Sequence, residues 1–176
     1  MEMNNELPET VQRVIALLKT LGYEQPITML NSTGKTSAEA ALALGCSVAH
    51  IAKSIVFRRL ADDVAVVVMA SGADRIDESK VAQIIGGETG KANARFVKEN
   101  TGYAIGGVCP VGHVKPSIML IDRGLTEFDS VWAAAGHPHA VFNVTPAQLL
   151  KMTGAQVVDV ALKTQPEIDI SGQVES

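Results

Sequence analysis

Between positions 7 and 21, apolar residues recur three and four apart: Val11, Val14, Ile15, Leu18 and Leu21 share one face of a helix. Pro8 suits its first turn and Gly22 its end. A short strand over 27–30 and the polar turn Asn31-Ser-Thr-Gly-Lys follow. Thr36 or Ser37 caps an alanine-rich helix over 38–44, stopped by Gly45. The period then shortens. β-Branched runs over 54–60 and 64–70, joined by Ala61-Asp62-Asp63, predict an antiparallel hairpin. The second run is apolar throughout to Met69, which predicts a central strand buried on both faces. Helices capped by Asp77 (to 85) and at Asn93 (to 101) come next. Strands are predicted over 117–122, 131–135, 140–144 and 157–160. Before the last of them Thr145-Pro146 opens a helix that Gly154 closes.

Strands and helices do not alternate regularly, and neither GxGxxG nor GxxxxGK[ST] is present. Asn31-Ser-Thr-Gly-Lys-Thr imitates the end of a phosphate loop but lacks the first glycine and a long preceding strand. The expected fold class is α+β: a mixed, largely antiparallel sheet or partial barrel with surrounding helices. One domain is expected over 1–176, with its core at about 7–161 and a polar tail, 164–176, held loosely.

Apolar residues make up 47% of the chain but aromatics only 4%, so the core must be aliphatic. A net charge of −4 lacks the basic bias of a protein that coats nucleic acid. It leaves room for a local patch, as Lys53, Arg58, Arg59 and Arg75 lie close in sequence. Two cysteines make no disulfide framework and form no zinc-ligand spacing. The N-terminus is acidic and polar, unlike a signal peptide, and the longest apolar run is too short for a membrane span. These features place the chain in the cytoplasm, away from membranes, with reduced thiols.

Candidate chemistry gathers around Tyr103-Ala-Ile-Gly-Gly-Val-Cys-Pro-Val-Gly-His. Gly106, Gly107, Pro110 and Gly112 make it a shaped loop in which backbone N–H groups can face a ligand. Cys109 sits inside it without an acid/base partner set and reads as a small packing residue. Lys53 enters the first long strand among apolar neighbours. Its head either snorkels to water or offers a point charge to a phosphate or carbonyl. Asp74, Asp77 and Glu78 with Arg75 form a charged loop and helix start that caps and complements the helix, and Ser71 and Asp74, after the buried strand, can also line a pocket. Gly136-His137-Pro-His139 joins two strands. No carboxylate or cysteine cluster accompanies this lone pair of histidines, so no metal site is expected, and one of them suits a pocket rim. From the residues alone, the chain is a compact α+β domain whose glycine loop, strand-start lysine and Gly-His turn are expected to line one pocket, with no classical nucleophile or metal set.

Three of these segments resemble the YbaK/prolyl-tRNA-synthetase-associated domain, a family of trans-acting aminoacyl-tRNA deacylases. They are Ala52-Lys53-Ser54-Ile55-Val56, the Gly-x-x-x-Pro loop Gly106-Gly107-Val108-Cys109-Pro110 with Val111-Gly112, and Gly136-His137 before a strand ending Val144-Thr145-Pro146. The resemblance runs from the first helix to Val160. It implies hydrolysis of the ester between a wrong, small amino acid and the 3′ end of a tRNA, with no cofactor and possible association with a synthetase. It gives Lys53 the tRNA's terminal backbone and the glycine loop the ester carbonyl. It puts Gly136 and His137 in the catalytic set, and Ser54, Ser71, Asp74, Val108, Cys109 and Gly112 around the substrate. No protein nucleophile is required, because the vicinal ribose hydroxyl can place or activate water. Ala133-Ala134-Ala135 stand before Gly136 where the cysteine-specific branch tends to carry Ser-Gly.

Overall fold

The computed structural model describes residues 7–31 and 36–162. The tail at 164–176 and most of the Asn31–Lys35 turn lie outside the described residues. In chain order the elements are α1 (Glu9–Thr20), β1 (Ile27–Met29), α2 (Ser37–Leu44), β2 (Ile51–Arg59), β3 (Val64–Ser71), α3 (Glu78–Ile85), β4 (Thr89–Lys91) and α4 (Ala94–Thr101). They continue with β5 (Ile118–Asp122), β6 (Val131–His137), β7 (Ala140–Val144), α5 (Pro146–Thr153) and β8 (Gln156–Val158).

The expected hairpin forms as β2 and β3, antiparallel from Ala52 opposite Ser71 to Arg59 opposite Val64. Asp63 turns it with a φ of 57°, a conformation an aspartate tolerates. β3 is central, between β2 and β5, which explains its unbroken apolar run. The strand order is β1-β7-β6-β2-β3-β5-β8, an open path, with four antiparallel and three parallel pairings once β4 is included. The α+β expectation of a mixed, mostly antiparallel sheet holds.

Helices cover both faces. On one, α1 (Val11, Val14, Leu18), α4 (Val97) and α5 (Leu149) pack with Tyr103, Val108 and Cys109 over Met69, Ile121 and Phe142. On the other, α3 packs Val81 and Ile85 over Val66, Val68 and Leu120, while α2 packs Ala40 and Ala41 over Ile51 and Val141. The alternation Val68/Met69 and Leu120/Ile121 assigns neighbouring residues to opposite layers, as the strand period requires. Capping boxes of Thr36 with Glu39 and Thr145 with Gln148 start α2 and α5, each stabilising by about 1 kcal/mol. Pro8 stands at the N-cap of α1, one position before the first turn.

Among the described residues the sheet has a discontinuity along β2. β3 pairs β2 from Ala52 to Arg59 on one edge. On the other edge β6 pairs only Ile51 and Ala52, and β4 pairs only Phe57 to Arg59. Residues 53–56 therefore have no strand beside them on that edge, among the described residues. The Ile51 carbonyl accepts from Gly72 on the β3 side at 2.7 Å. By alternation, Ser54 and Val56 turn their backbone groups toward the gap.

Candidate functional site

The glycine loop lies over this gap. It begins at Gly102, where α4 ends in a left-handed glycine. The Gly107 amide donates to the Ala104 carbonyl at 2.9 Å and closes a turn whose tip is Ile105-Gly106. Gly106 needs to be glycine there, with a φ of 92°. Gly107 meets a different demand. A Cβ on it would lie 2.7 Å from His137 Cα, so only glycine lets the loop dock on the end of β6.

Buried side chains fix the loop from within. The Tyr103 hydroxyl donates to the Val111 carbonyl at 2.7 Å. The His113 ring spans the Cys109 carbonyl at 2.7 Å (Nε2) and the Ser117 hydroxyl at 3.0 Å (Nδ1). A carbonyl only accepts, so Nε2 carries the proton and Nδ1 accepts from Ser117. Burial lowers the His113 pKa, which favours this neutral ring. The amides of Gly106, Val108 and Cys109 find no acceptor among the described residues.

Two cavities meet at the loop. The larger, about 490 Å³, is walled by Ile55, Val56, Phe57, Ala92 and Val97, with Glu78 and Lys91 among its lining. The smaller, about 230 Å³, is walled by Ile51, Ala52, Trp132, Ala134 and Val141, with Ser37 and Lys53. Ser54, Ile105, Gly106 and Val108 line both. The Ser54 Oγ is buried and has no hydrogen-bond partner among the described residues.

Of the residues picked out in the sequence, Lys53, Ser54, Gly106 and Val108 come together here. Lys53 is the third residue of β2 and lies inside the strand, whereas the sequence pattern put it at the strand's start. Its ammonium donates to the Asp74 carbonyl. Desolvation lowers its pKa, the Asp74 carboxylate opposes that shift, and Arg75 adds to it.

The other picked residues stand behind the cavities. Ser71 is buried; its hydroxyl donates to the Ala49 carbonyl at 2.8 Å and accepts from the Ala73 amide at 3.2 Å. Asp74 turns its carbonyl to Lys53 and borders a separate acidic hollow with Asp122, Glu127 and Asp159. Cys109 is fully buried, and burial pushes its thiol up to about 12. Pro110 is buried beside it. Gly112 packs on Tyr103 and Leu17, where a Cβ would lie 2.7 and 2.8 Å from their side chains. Gly136 and His137 belong to β6 itself, at a register shift after Ala134, where the sequence suggested a turn. α1 sits on that irregularity: Thr10 Oγ1 donates to the Gly136 carbonyl at 2.6 Å. The turn proper is Pro138-His139, and the two imidazole centroids lie 5.4 Å apart. The His139 amide donates to His137 Nδ1 at 3.1 Å.

Sequence reasoning missed Ile105 and Trp132. Ile105 is a single apolar residue beside a glycine, and Trp132 is the chain's one tryptophan in a strand that reads as core. Neither position carries a local signal; only the meeting of the loop with β2 and β6 makes them cavity walls.

Comparison with known proteins agrees with this architecture. Residues 31–152 match the model of the aminoacyl-tRNA editing domain. The uncharacterized protein YwhH of Bacillus subtilis (strain 168) is 33% identical over 138 residues, covering 78% of this chain and 87% of that protein. A crystal structure described as a candidate trans-editing enzyme for prolyl-tRNA synthetase is 39% identical, with a TM-score of 0.84 over 90% of this chain and all of the other. A hypothetical protein of known structure is 29% identical, with a TM-score of 0.78 over 88% of this chain and all of the other. By sequence match and by fold, the chain belongs to the aminoacyl-tRNA editing domain family.

Proposed function

We propose that the chain hydrolyses, in trans, the ester joining a small misattached amino acid to the 3′-terminal ribose of a tRNA. One observation carries the reading: the loop that offers free amides sits where two cavities meet. An ester has two arms, the acyl group and the ribose. A carbonyl held at Gly106 and Val108 has a cavity for each.

Water adds to the ester carbon. The carbonyl oxygen takes up negative charge, and the loop amides stabilise it as fixed donors. The carbon–oxygen bond to the ribose then breaks, and the ribose oxygen gains a proton. The neighbouring ribose hydroxyl positions the water. No protein nucleophile is used, in keeping with a Cys109 thiol that is buried and protonated at neutral pH. Lys53 supplies positive charge at the smaller cavity, toward the terminal backbone of the tRNA. Ser54 offers its unpartnered hydroxyl at the junction. Selection is by size, so that only small side chains reach the loop. A chain of net charge −4 gains from a synthetase partner that holds the rest of the tRNA.

A panel of tRNAs charged with correct and incorrect amino acids tests the reading. Release of a small amino acid from one or more is expected. Tight binding without release on any member would make the domain a non-catalytic reader of tRNA ends.

A further inference from the structure

Ile105 is 56% exposed, on the tip of a loop otherwise anchored by buried groups. A lone exposed isoleucine is ordinary. This one lines both cavities, at the tip of the turn closed by Gly107 and Ala104. The turn cannot shift freely, because Gly107 rests on the His137 backbone. The isoleucine is therefore a fixed apolar wall between two spaces.

We infer that Ile105 sets the size of the side chain this enzyme accepts. The inference rests on the deacylase reading but not on which cavity takes which arm of the ester. If the carbonyl sits at Gly106 and Val108, the acyl group enters one of the two cavities, and Ile105 borders both. Its β-branched side chain has few rotamers and so gives a stiff boundary. Val108 also lines both cavities, but it is only 3% exposed and packs in the core, so it cannot change without disturbing the fold. Ile105 is free to vary.

Discrimination by one methylene in an apolar pocket is worth about 10-fold to 200-fold. Because Ile105 is half open to solvent, the low end applies. One tRNA is charged separately with alanine and with valine, and kcat/KM is measured for the wild type, Ile105→Ala and Ile105→Phe. The ratio of valyl to alanyl hydrolysis should rise at least about tenfold in Ile105→Ala and fall in Ile105→Phe, with thermal midpoints unchanged. The same ratio is read as Kd on non-hydrolysable 3′-amide analogues of alanyl- and valyl-adenosine. Hydrolysis by the wild type with ratios unmoved in both variants overturns the role of Ile105 and leaves the deacylase reading standing. Binding of the analogues with no hydrolysis of either tRNA overturns the deacylase reading, and the Kd ratio then decides whether Ile105 reads size. Absence of both binding and hydrolysis overturns both.

Discussion

Gly107 and His137 touch backbone to backbone. A Cβ on Gly107 would lie 2.7 Å from His137 Cα and 2.8 Å from its N and C atoms. This contact couples the two segments most suggestive of function in the sequence. The register shift in β6 brings the His137 backbone to the loop, and α1 holds the shift by the bond from Thr10 to Gly136. The position of the amides over the β2 gap thus depends on packing that begins in the first helix.

Gly107→Ala should displace the loop. The added methyl meets backbone, which cannot swing aside like a side-chain end, so stability should fall by about 1–3 kcal/mol. Its amide already serves the Ala104 carbonyl, so the loss of activity should come from moving Gly106 and Val108. A misplacement of about 1 Å costs on the order of a hundredfold in rate. Deacylation kinetics with a thermal melt check both effects. A variant as stable and as active as the wild type would show that the loop does not hold the carbonyl.

Cys109→Ala should remain active within about threefold, with a stability loss of about 1 kcal/mol for the small void it leaves. The thiol has no exposure, and its pKa of about 12 leaves almost no thiolate at neutral pH. A folded but inactive Cys109→Ala would point to covalent catalysis.

Much of the fold was legible because its signals are local. The β2–β3 hairpin follows from β-branched runs about a short polar turn, and the helix limits follow from Thr36, Asp77, Asn93 and Thr145 at one end and glycines at the other. β4 was not legible. Thr89-Gly-Lys has no apolar alternation and is a strand only because β2 offers an edge there. The site divides the same way. The glycine loop and Lys53 stood out by residue type, but the hydrogen bond that occupies the Gly107 amide, the tether of Lys53 to Asp74 and the wall made by Ile105 join segments distant in sequence or depend on loop shape. Gly136-His137 looked like a turn because glycine and proline flank the histidine. The strand runs through it because a register shift absorbs the glycine's positive φ.

Activity should survive EDTA. Among the described residues no three His, Cys, Asp or Glu side chains gather in a metal-binding group. His137 and His139 approach each other, but His137 Nδ1 is already engaged by the His139 amide, and no carboxylate completes a set. Inactivation by EDTA with recovery on adding zinc would make these histidines ligands.

Acid should weaken the fold through His113. Burial lowers its folded pKa below the ordinary value of 6.5. The unfolded chain therefore binds the proton first as pH drops. The stability from the neutral ring is fully present above about 6.5 and is lost as pH falls from there to the folded value. His137, lowered by burial and by His139, adds loss in the same window. Urea midpoints between pH 7.5 and 4.5 should fall less steeply in His113→Gln than in the wild type. Parallel curves would mean that the ring's burial costs nothing on protonation.

Lys53 allows the sharpest separation of catalysis from stability. Its ammonium is held at the Asp74 carbonyl, and desolvation lowers its pKa from 10.5. The native state therefore bears a cost for the charge at neutral pH. As pH rises from the lowered folded value toward 10.5, the native chain has released the proton while the unfolded chain still holds it, and stability increases. Lys53→Met keeps the apolar stem and removes the charge. It should melt no lower than the wild type at pH 7, and its stability relative to the wild type should shrink as pH climbs through that window. Deacylation should nevertheless drop at least about tenfold, a loss of about 1.4 kcal/mol of transition-state stabilisation. Calorimetry at pH 7 and pH 10 beside single-turnover kinetics measures the two effects independently. Full activity in the folded variant would remove Lys53 from the mechanism. A fall in stability matching the fall in activity would make the lysine a structural tie between β2 and the Asp74 loop.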